Sequence, residues 1–163
     1  MTAGGAGRAG VWLGVDLGQS RVGLAVSDPD RIMATPLGTL RRDGRPVEAL
    51  ARQLADQAAS ARAGRVVVGW PLNMDGTEGA AAVEARALAA ALSALGLEVG
   101  LQDERRTTVQ AHAQLRAAGR KHRHHRAVVD QAAAVLILQA ALDAARSGAW
   151  ATPPAPPPSN GLD

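Results

Sequence analysis

The chain has 163 residues, 47% of them apolar and 20% charged, with a net charge of +3; that is enough for one domain with a core and too short for two large ones. The absence of cysteine excludes disulfides, zinc–thiolate sites, iron–sulfur clusters and a cysteine nucleophile, and an aromatic share of 2%, all tryptophan, argues against the stacking platforms of single-strand-binding proteins. No apolar run reaches membrane length and the opening MTAGGAGRAG lacks the apolar middle of a secretory signal, so a cytoplasmic protein without a membrane span is expected.

Residues 1–10 are Gly/Ala-rich and 147–163 are proline-rich; both are expected to be disordered tails around a domain at 11–146. Val11–Leu17 and Arg21–Ser27 are short apolar runs around a tight Gly-Gln-Ser loop and predict two strands. Asp28-Pro29-Asp30 signals a turn. Met33–Leu40 predicts a third strand, with Pro36 pointing to a sheet edge. These three form an antiparallel meander.

The pattern then changes. Pro46–Ala61 has helical spacing through Val47, Leu50, Leu54 and Ala58, with Pro46 in its first turn and Gly64 as its stop. Arg65–Gly69 is a buried-type strand, and Trp70–Glu78 a loop. Gly79–Leu95 is an Ala-rich helix closed by Gly96, and Leu97–Gln102 is a fifth strand ending on Asp103-Glu104-Arg105. Thr107 and Gln110 make a capping box for a helix to about Ala118. Arg120–Arg126 is a basic loop before a last helix at Ala127–Ala145. Helical crossovers make parallel neighbours, so the fold class is α/β: a five-stranded mixed sheet, three antiparallel strands then two parallel ones, flanked by helices.

Three acids stand out. Asp16 lies within an apolar strand, where an unpaired carboxylate costs several kcal/mol; its plainer reading is a cap on the Gly18-Gln19-Ser20 turn, its sharper one a metal ligand. Glu104 ends the fifth strand, on the side where ligands bind in open α/β sheets, whereas a solvated loop charge is the plainer reading there and for Asp103. Asp130, in the first turn of the last helix, could simply complement the helix dipole. Together the acids say more. If the fourth strand docks beside the first, Asp16 and Glu104 leave the same region of the sheet and the last helix can lay Asp130 beside them. Three oxygen donors without Cys or His suit Mg²⁺ or Mn²⁺, and two such ions about 4 Å apart can activate water and hold the leaving oxygen in phosphodiester cleavage.

Four segments in register resemble the YqgF/RuvX family: Asp16-Leu-Gly-x-x-Arg21-x-Gly23-x-Ala25-x-Ser27-Asp28; Val68-Gly-Trp-Pro71-Leu-Asn73-Met-Asp75-Gly76-Thr77-Glu78-Gly79; Asp103-Glu104-Arg105-x-Thr107-Thr108-Val109; and Val129-Asp130-x-x-Ala133-Ala134-Val135-x-Ile137-Leu138-Gln139. The resemblance covers about residues 11–145. It implies an RNase H-like fold, with Asp16, Glu104 and Asp130 as metal-binding carboxylates, and an activity described both as Holliday junction resolution and as maturation of the 5′ end of pre-16S rRNA. Trp70, Arg106 and Gln110 depart from the family pattern without touching the triad.

Around the acids, Asn73, Asp75 and Thr77 sit in a strand–helix loop whose helix start offers N–H groups to a phosphate; a plain connection is the alternative. Arg120, Lys121, Arg123 and Arg126 are candidate backbone-phosphate contacts or a solvated charge run, and three neighbouring histidines could also take a transition metal adventitiously. Arg21 and Arg105 could each hold an acid or contact phosphate. All basic side chains but Lys121 are arginine, which forks onto phosphate, although GC-rich coding yields the same bias. The reading that follows is a two-metal-ion nuclease acting on pre-16S rRNA, with ribosomal particles as further partners, or on branched DNA as a Holliday junction resolvase. Two alternatives are a non-catalytic RNA-binding ribosome factor and an actin–hexokinase-type ATPase, for whose second domain the chain lacks room.

Overall fold

The computed structural model describes residues 10–105 and 124–148, the side chains of 124–129 excepted. The tail at 1–9, most of that at 147–163, the helix expected at 107–118 and Arg120, Lys121 and Arg123 therefore lie outside the described residues. Strands β1 (Val11–Leu17), β2 (Arg21–Ser27), β3 (Ala34–Arg41), β4 (Ala63–Trp70) and β5 (Val99–Asp103) form one sheet in the order β3-β2-β1-β4-β5. β1–β2 and β2–β3 are antiparallel, and β1–β4 and β4–β5 are parallel. The mixed sheet is as the hairpins and helical crossovers imply, and β4 docks beside β1, the condition under which the first and fifth strands bring their acids to one region.

Strand alternation divides the side chains between two faces. Leu13, Val15, Val22, Leu24, Val66, Val68 and Leu101 pack against helices α1 (Val47–Ala61) and α2 (Ala80–Ala94), which supply Leu50, Leu54, Leu88 and Leu92. Trp12, Ala25, Ala34 and Val67 pack on the opposite face against Ala134, Ile137, Leu138, Ala141 and Leu142 of helix α3 (His124–Arg146). No helix among the described residues is long and apolar enough to cross a membrane.

Several boundaries differ from the sequence reading. Pro46 is the N-cap of α1 rather than a first-turn residue. Gly64 does not stop α1; Arg62 does, in the left-handed region at φ 56°, donating its N–H to the carbonyls of Ala58 and Ala59. That release lets β4 begin at Ala63, with Gly64 inside the strand. The basic loop is also shorter than expected: His124, His125 and Arg126 are helical, so Asp130 is the seventh residue of α3, not a first-turn residue, and helix-dipole complementation does not account for it. Ser147 and Gly148, expected to belong to the tail, hydrogen-bond to the end of α3, Gly148 at φ 74°.

Candidate active site

The C-terminal end of β1 carries the first acid. Asp16 is the cross-strand partner of Gly23 on β2. On its other side, β1 and β4 pair through Val15 and Val68, so one register step further Asp16 is level with Gly69. Asp16 thus lies in a row with a glycine on either side, and alternation puts all three on the α3 face.

Those glycines admit the other two acids. A Cβ on Gly23 would lie 2.1 Å from the Asp130 carbonyl oxygen and 3.2 Å from the Asp130 Cβ. A Cβ on Gly69 would lie 2.6 Å from Ile137 Cδ1 and 2.9 Å from Glu104 Oε1. Asp130 therefore sits over one neighbour of Asp16 and Glu104 over the other, at strand spacings of about 5 Å. The Glu104 amide donates to the Trp70 carbonyl (3.2 Å), which ties the end of β5 to the end of β4. Sequence reasoning gave neither glycine a part in the site; the available signal was a glycine in mid-strand, which marks close approach of another backbone.

The surrounding side chains are committed. Arg21 Nε pairs with Asp130 Oδ2 at 3.1 Å, both groups about 70% buried. Arg105 grips Asp103 through Nη2 (2.7 Å) and Nε (3.0 Å) while its own amide donates to Asp103 Oδ1 (2.9 Å), and the Asp103 carboxylate raises the affinity of the guanidinium for its proton above the usual arginine value. Asp103 is thus held by arginine, and Arg105 bridges onward to the Met74 carbonyl. The loop after β4 is folded on itself: Asn73 Nδ2 donates to Thr77 Oγ1 (2.9 Å), and the Thr77 hydroxyl (2.6 Å) and amide (3.0 Å) both donate to Asp75 Oδ1. Those two bonds, the hydroxyl first, hold the Asp75 carboxyl below its ordinary pKa. Gly76, at φ 87°, lets the loop close beneath Arg105. Glu78 accepts from Trp70 Nε1 (3.1 Å) and from Arg86 Nε (3.0 Å), anchoring the loop's far end. Asn73, Asp75 and Thr77 therefore spend these groups on one another, and the loop's contact with the end of β5 is to the guanidinium of Arg105, next in sequence to Glu104.

Asp16, Glu104 and Asp130 are brought to one face at one end of the sheet. The donor set is carboxylate throughout, which fits hard divalent cations such as Mg²⁺ and Mn²⁺. In the conformation seen, no three Asp, Glu, His or Cys side chains among the described residues are close enough to enclose an ion; Asp130 pairs with Arg21 and Glu104 lies over Gly69. Arg126 lies one turn before Asp130 on α3.

The RuvX family model, described as Holliday junction resolvase, matches residues 10–144. A protein of Kineococcus radiotolerans named "Putative pre-16S rRNA nuclease" is 48% identical over 86% of this chain and 76% of its own length. One of the same name from a Nocardioides species is 48% identical over 86% of this chain and 92% of its own length. Among solved structures, Thermus thermophilus RuvC in complex with a Holliday junction superposes with a TM-score of 0.54 at 17% identity, covering 86% of this chain and 97% of that one. That likeness is one of fold, and it agrees with the RNase H-like architecture.

Proposed function

The chain belongs to the RuvX family, and from that premise we propose that it is a divalent-metal-dependent endonuclease that hydrolyses phosphodiester bonds in pre-16S rRNA. The observation that carries this reading is the row Gly23–Asp16–Gly69, with Asp130 above one glycine and Glu104 above the other. Two strand positions have given up their side chains, and both spaces are taken by elements bearing an acid. A structural cap at Asp16 would need neither glycine.

In this reading Asp16, Glu104 and Asp130 would hold the metal, Mg²⁺ or Mn²⁺ and two ions in the full form. A bound pair supplies activation of a water and stabilisation of the leaving oxygen. Arg21 holds the Asp130 carboxylate on the sheet side of α3. Arg105 stands at the rim, where a phosphate beside Glu104 would meet it. Arg126, together with Arg120, Lys121 and Arg123, would carry the flanking backbone phosphates. The curated relatives favour ribosomal RNA as substrate; the family description favours a four-way DNA junction as the second reading.

Side-by-side cleavage of a pre-16S 5′ fragment and a four-way junction, each with Mg²⁺ and with chelator, separates the two. Metal-dependent cutting of the RNA is expected. Preference for the junction would move the assignment to resolution, and metal-indifferent cutting would overturn the metal site.

A further inference from the structure

Arg42 is the one charged side chain among the described residues that is buried, at 9% exposure. It lies on the α1/α2 side of the sheet, away from the carboxylates. The turn that follows it is of a primed type: Asp43 and Gly44 are both left-handed, at φ 51° and 69°, and the Arg45 amide donates to the Arg42 carbonyl at 3.0 Å. That turn directs Arg42 back onto the molecule. Its amide donates to the Ser20 carbonyl (2.9 Å) and its Nη1 to the Gly18 carbonyl (3.2 Å), while the same Nη1 pairs with Glu84 of α2.

Burying a guanidinium is costly unless it is paired and hydrogen-bonded, and Glu84 alone would meet the need for a counter-charge. The bonds to Gly18 and Ser20 do something else. They hold two carbonyls of the turn that joins Asp16 on β1 to Arg21 on β2, Ser20 through the main chain of Arg42 and Gly18 through its guanidinium, a turn closed by the Gly18 amide on the Arg21 carbonyl (2.9 Å). Arg21 in turn holds Asp130. Beside the clamp lies a cleft of about 270 Å³, lined by Leu17, Gln19, Ala80 and Ala81 as well as Arg42 and Glu84, which leaves the turn room to move once it is released.

We infer that Arg42 is a positioning residue for the carboxylate site: its guanidinium fixes the Gly18 carbonyl, next to the Ser20 carbonyl that the main chain already holds, and so sets the placement of Asp16 and Arg21, through Arg21 that of Asp130, and with them the site's affinity for a divalent cation. This rests on the reading of those acids as the metal site. The test uses the full chain with Arg42→Met, which keeps the apolar stem and removes every donor of the side chain, Arg42→Lys, and Glu84→Gln, which keeps an acceptor and spares the Gly18 bond. Hydrogen exchange over residues 16–22 should speed up about tenfold in R42M and change little in E84Q. Titration with Mn²⁺ alone should show a dissociation constant raised about tenfold in R42M and less than twofold in E84Q, as for other groups that orient metal ligands. R42K should lie between wild type and R42M, and it carries the test if R42M does not fold. Cleavage by R42M should recover at high Mg²⁺, separating metal affinity from the chemical step. Wild-type exchange and Mn²⁺ affinity in R42M, or equal effects of R42M and E84Q, would reduce Arg42 to a structural ion pair. If the wild-type protein neither bound Mn²⁺ nor cut either substrate, the nuclease reading would fall with the metal role, and exchange alone would decide whether the clamp exists.

Discussion

On the α1/α2 face of the sheet, Leu13, Val15, Val22, Leu24, Val66 and Val68 fill the space to the helices with branched aliphatic bulk, all at 0–2% exposure. On the α3 face, Gly14, Gly23 and Gly69 stand where side chains would be, and a Cβ at each would fall within 2.7 Å of an atom of α3. The first face gains stability from buried apolar area, at roughly 25 cal/mol per Å². The second gives up that area to let the backbone of α3 approach the strands, and it is at the open end of this face that Asp16, Glu104 and Asp130 gather. Two faces of one sheet thus differ in kind: one is filled by aliphatic bulk, and the other admits a helix close to its strands.

The largest expected effect tests the α3 face directly. Asp16→Asn keeps size and shape but removes a hard anionic ligand, and single-turnover cleavage should fall about a thousandfold or more, some 4 kcal/mol of barrier. Melting in metal-free buffer should be unchanged or slightly higher, because the gathered carboxylates repel one another less. A variant that cut normally would return Asp16 to the role of a turn cap.

A matched pair then sets one face against the other. Leu88→Ala, in the α1/α2 core at 0% exposure, should cost 2–5 kcal/mol of stability through its cavity, yet molecules still folded should cut at the wild-type rate. Gly23→Ala must displace the Asp130 carbonyl, since that oxygen lies 2.1 Å from the new Cβ. It should cost about 3 kcal/mol or more, and it should also depress cleavage per folded molecule, measured by active-site titration alongside denaturant unfolding. Equal losses of stability with equal residual rates would erase the distinction between the faces.

Arg21→Met sharpens it further. Its ion pair with Asp130 is partly exposed, so stability should change by about 1 kcal/mol or less, but a group that orients a metal ligand usually matters 10–100-fold to metal affinity. The half-saturating Mg²⁺ concentration for cleavage should rise by that factor, with the maximal rate largely kept. A fall in substrate affinity instead, at unchanged Mg²⁺ dependence, would make Arg21 a phosphate contact.

Much of this division was legible in the chain. The alternating and helical periods of the aliphatic residues specify the α1/α2 core, and β1 and β2 fall at the residues their apolar runs delimit. Asp16 was conspicuous because a carboxylate in an apolar strand is expensive. The rest depended on tertiary placement. Gly23 and Gly69 look like weak strand residues until α3 is laid across them. Gly64 looked like a helix stop because glycine favours that role, whereas Arg62 takes the left-handed cap and leaves Gly64 to the strand. Arg42 carried no signal at all: one arginine among many, its importance arises from the Gly18 carbonyl 24 residues upstream that only the fold brings to its guanidinium.

The smallest expected effect lies on the α1/α2 side and depends on pH. The bond from Arg42, and after it that guanidinium's charge, holds the Glu84 carboxyl below its ordinary value of 4.5. A carboxyl depressed in the folded state contributes stability that is present above its unfolded pKa and is lost as pH falls through the folded one. Arg42 is charged throughout this range and adds no pH dependence of its own. Melting temperature followed from pH 6 down to pH 3 should therefore fall more steeply in wild type than in Glu84→Gln, with the two curves converging in acid. Because the Glu84 side chain is 38% exposed, water screens the pair and the gap at pH 6 should be under about 1 kcal/mol. Mn²⁺ affinity near neutrality should be nearly the same in both proteins, since the variant keeps the Arg42–Gly18 bond. If E84Q instead lost the metal while its acid limb matched wild type, the counter-charge rather than the carbonyl clamp would be what links the two faces.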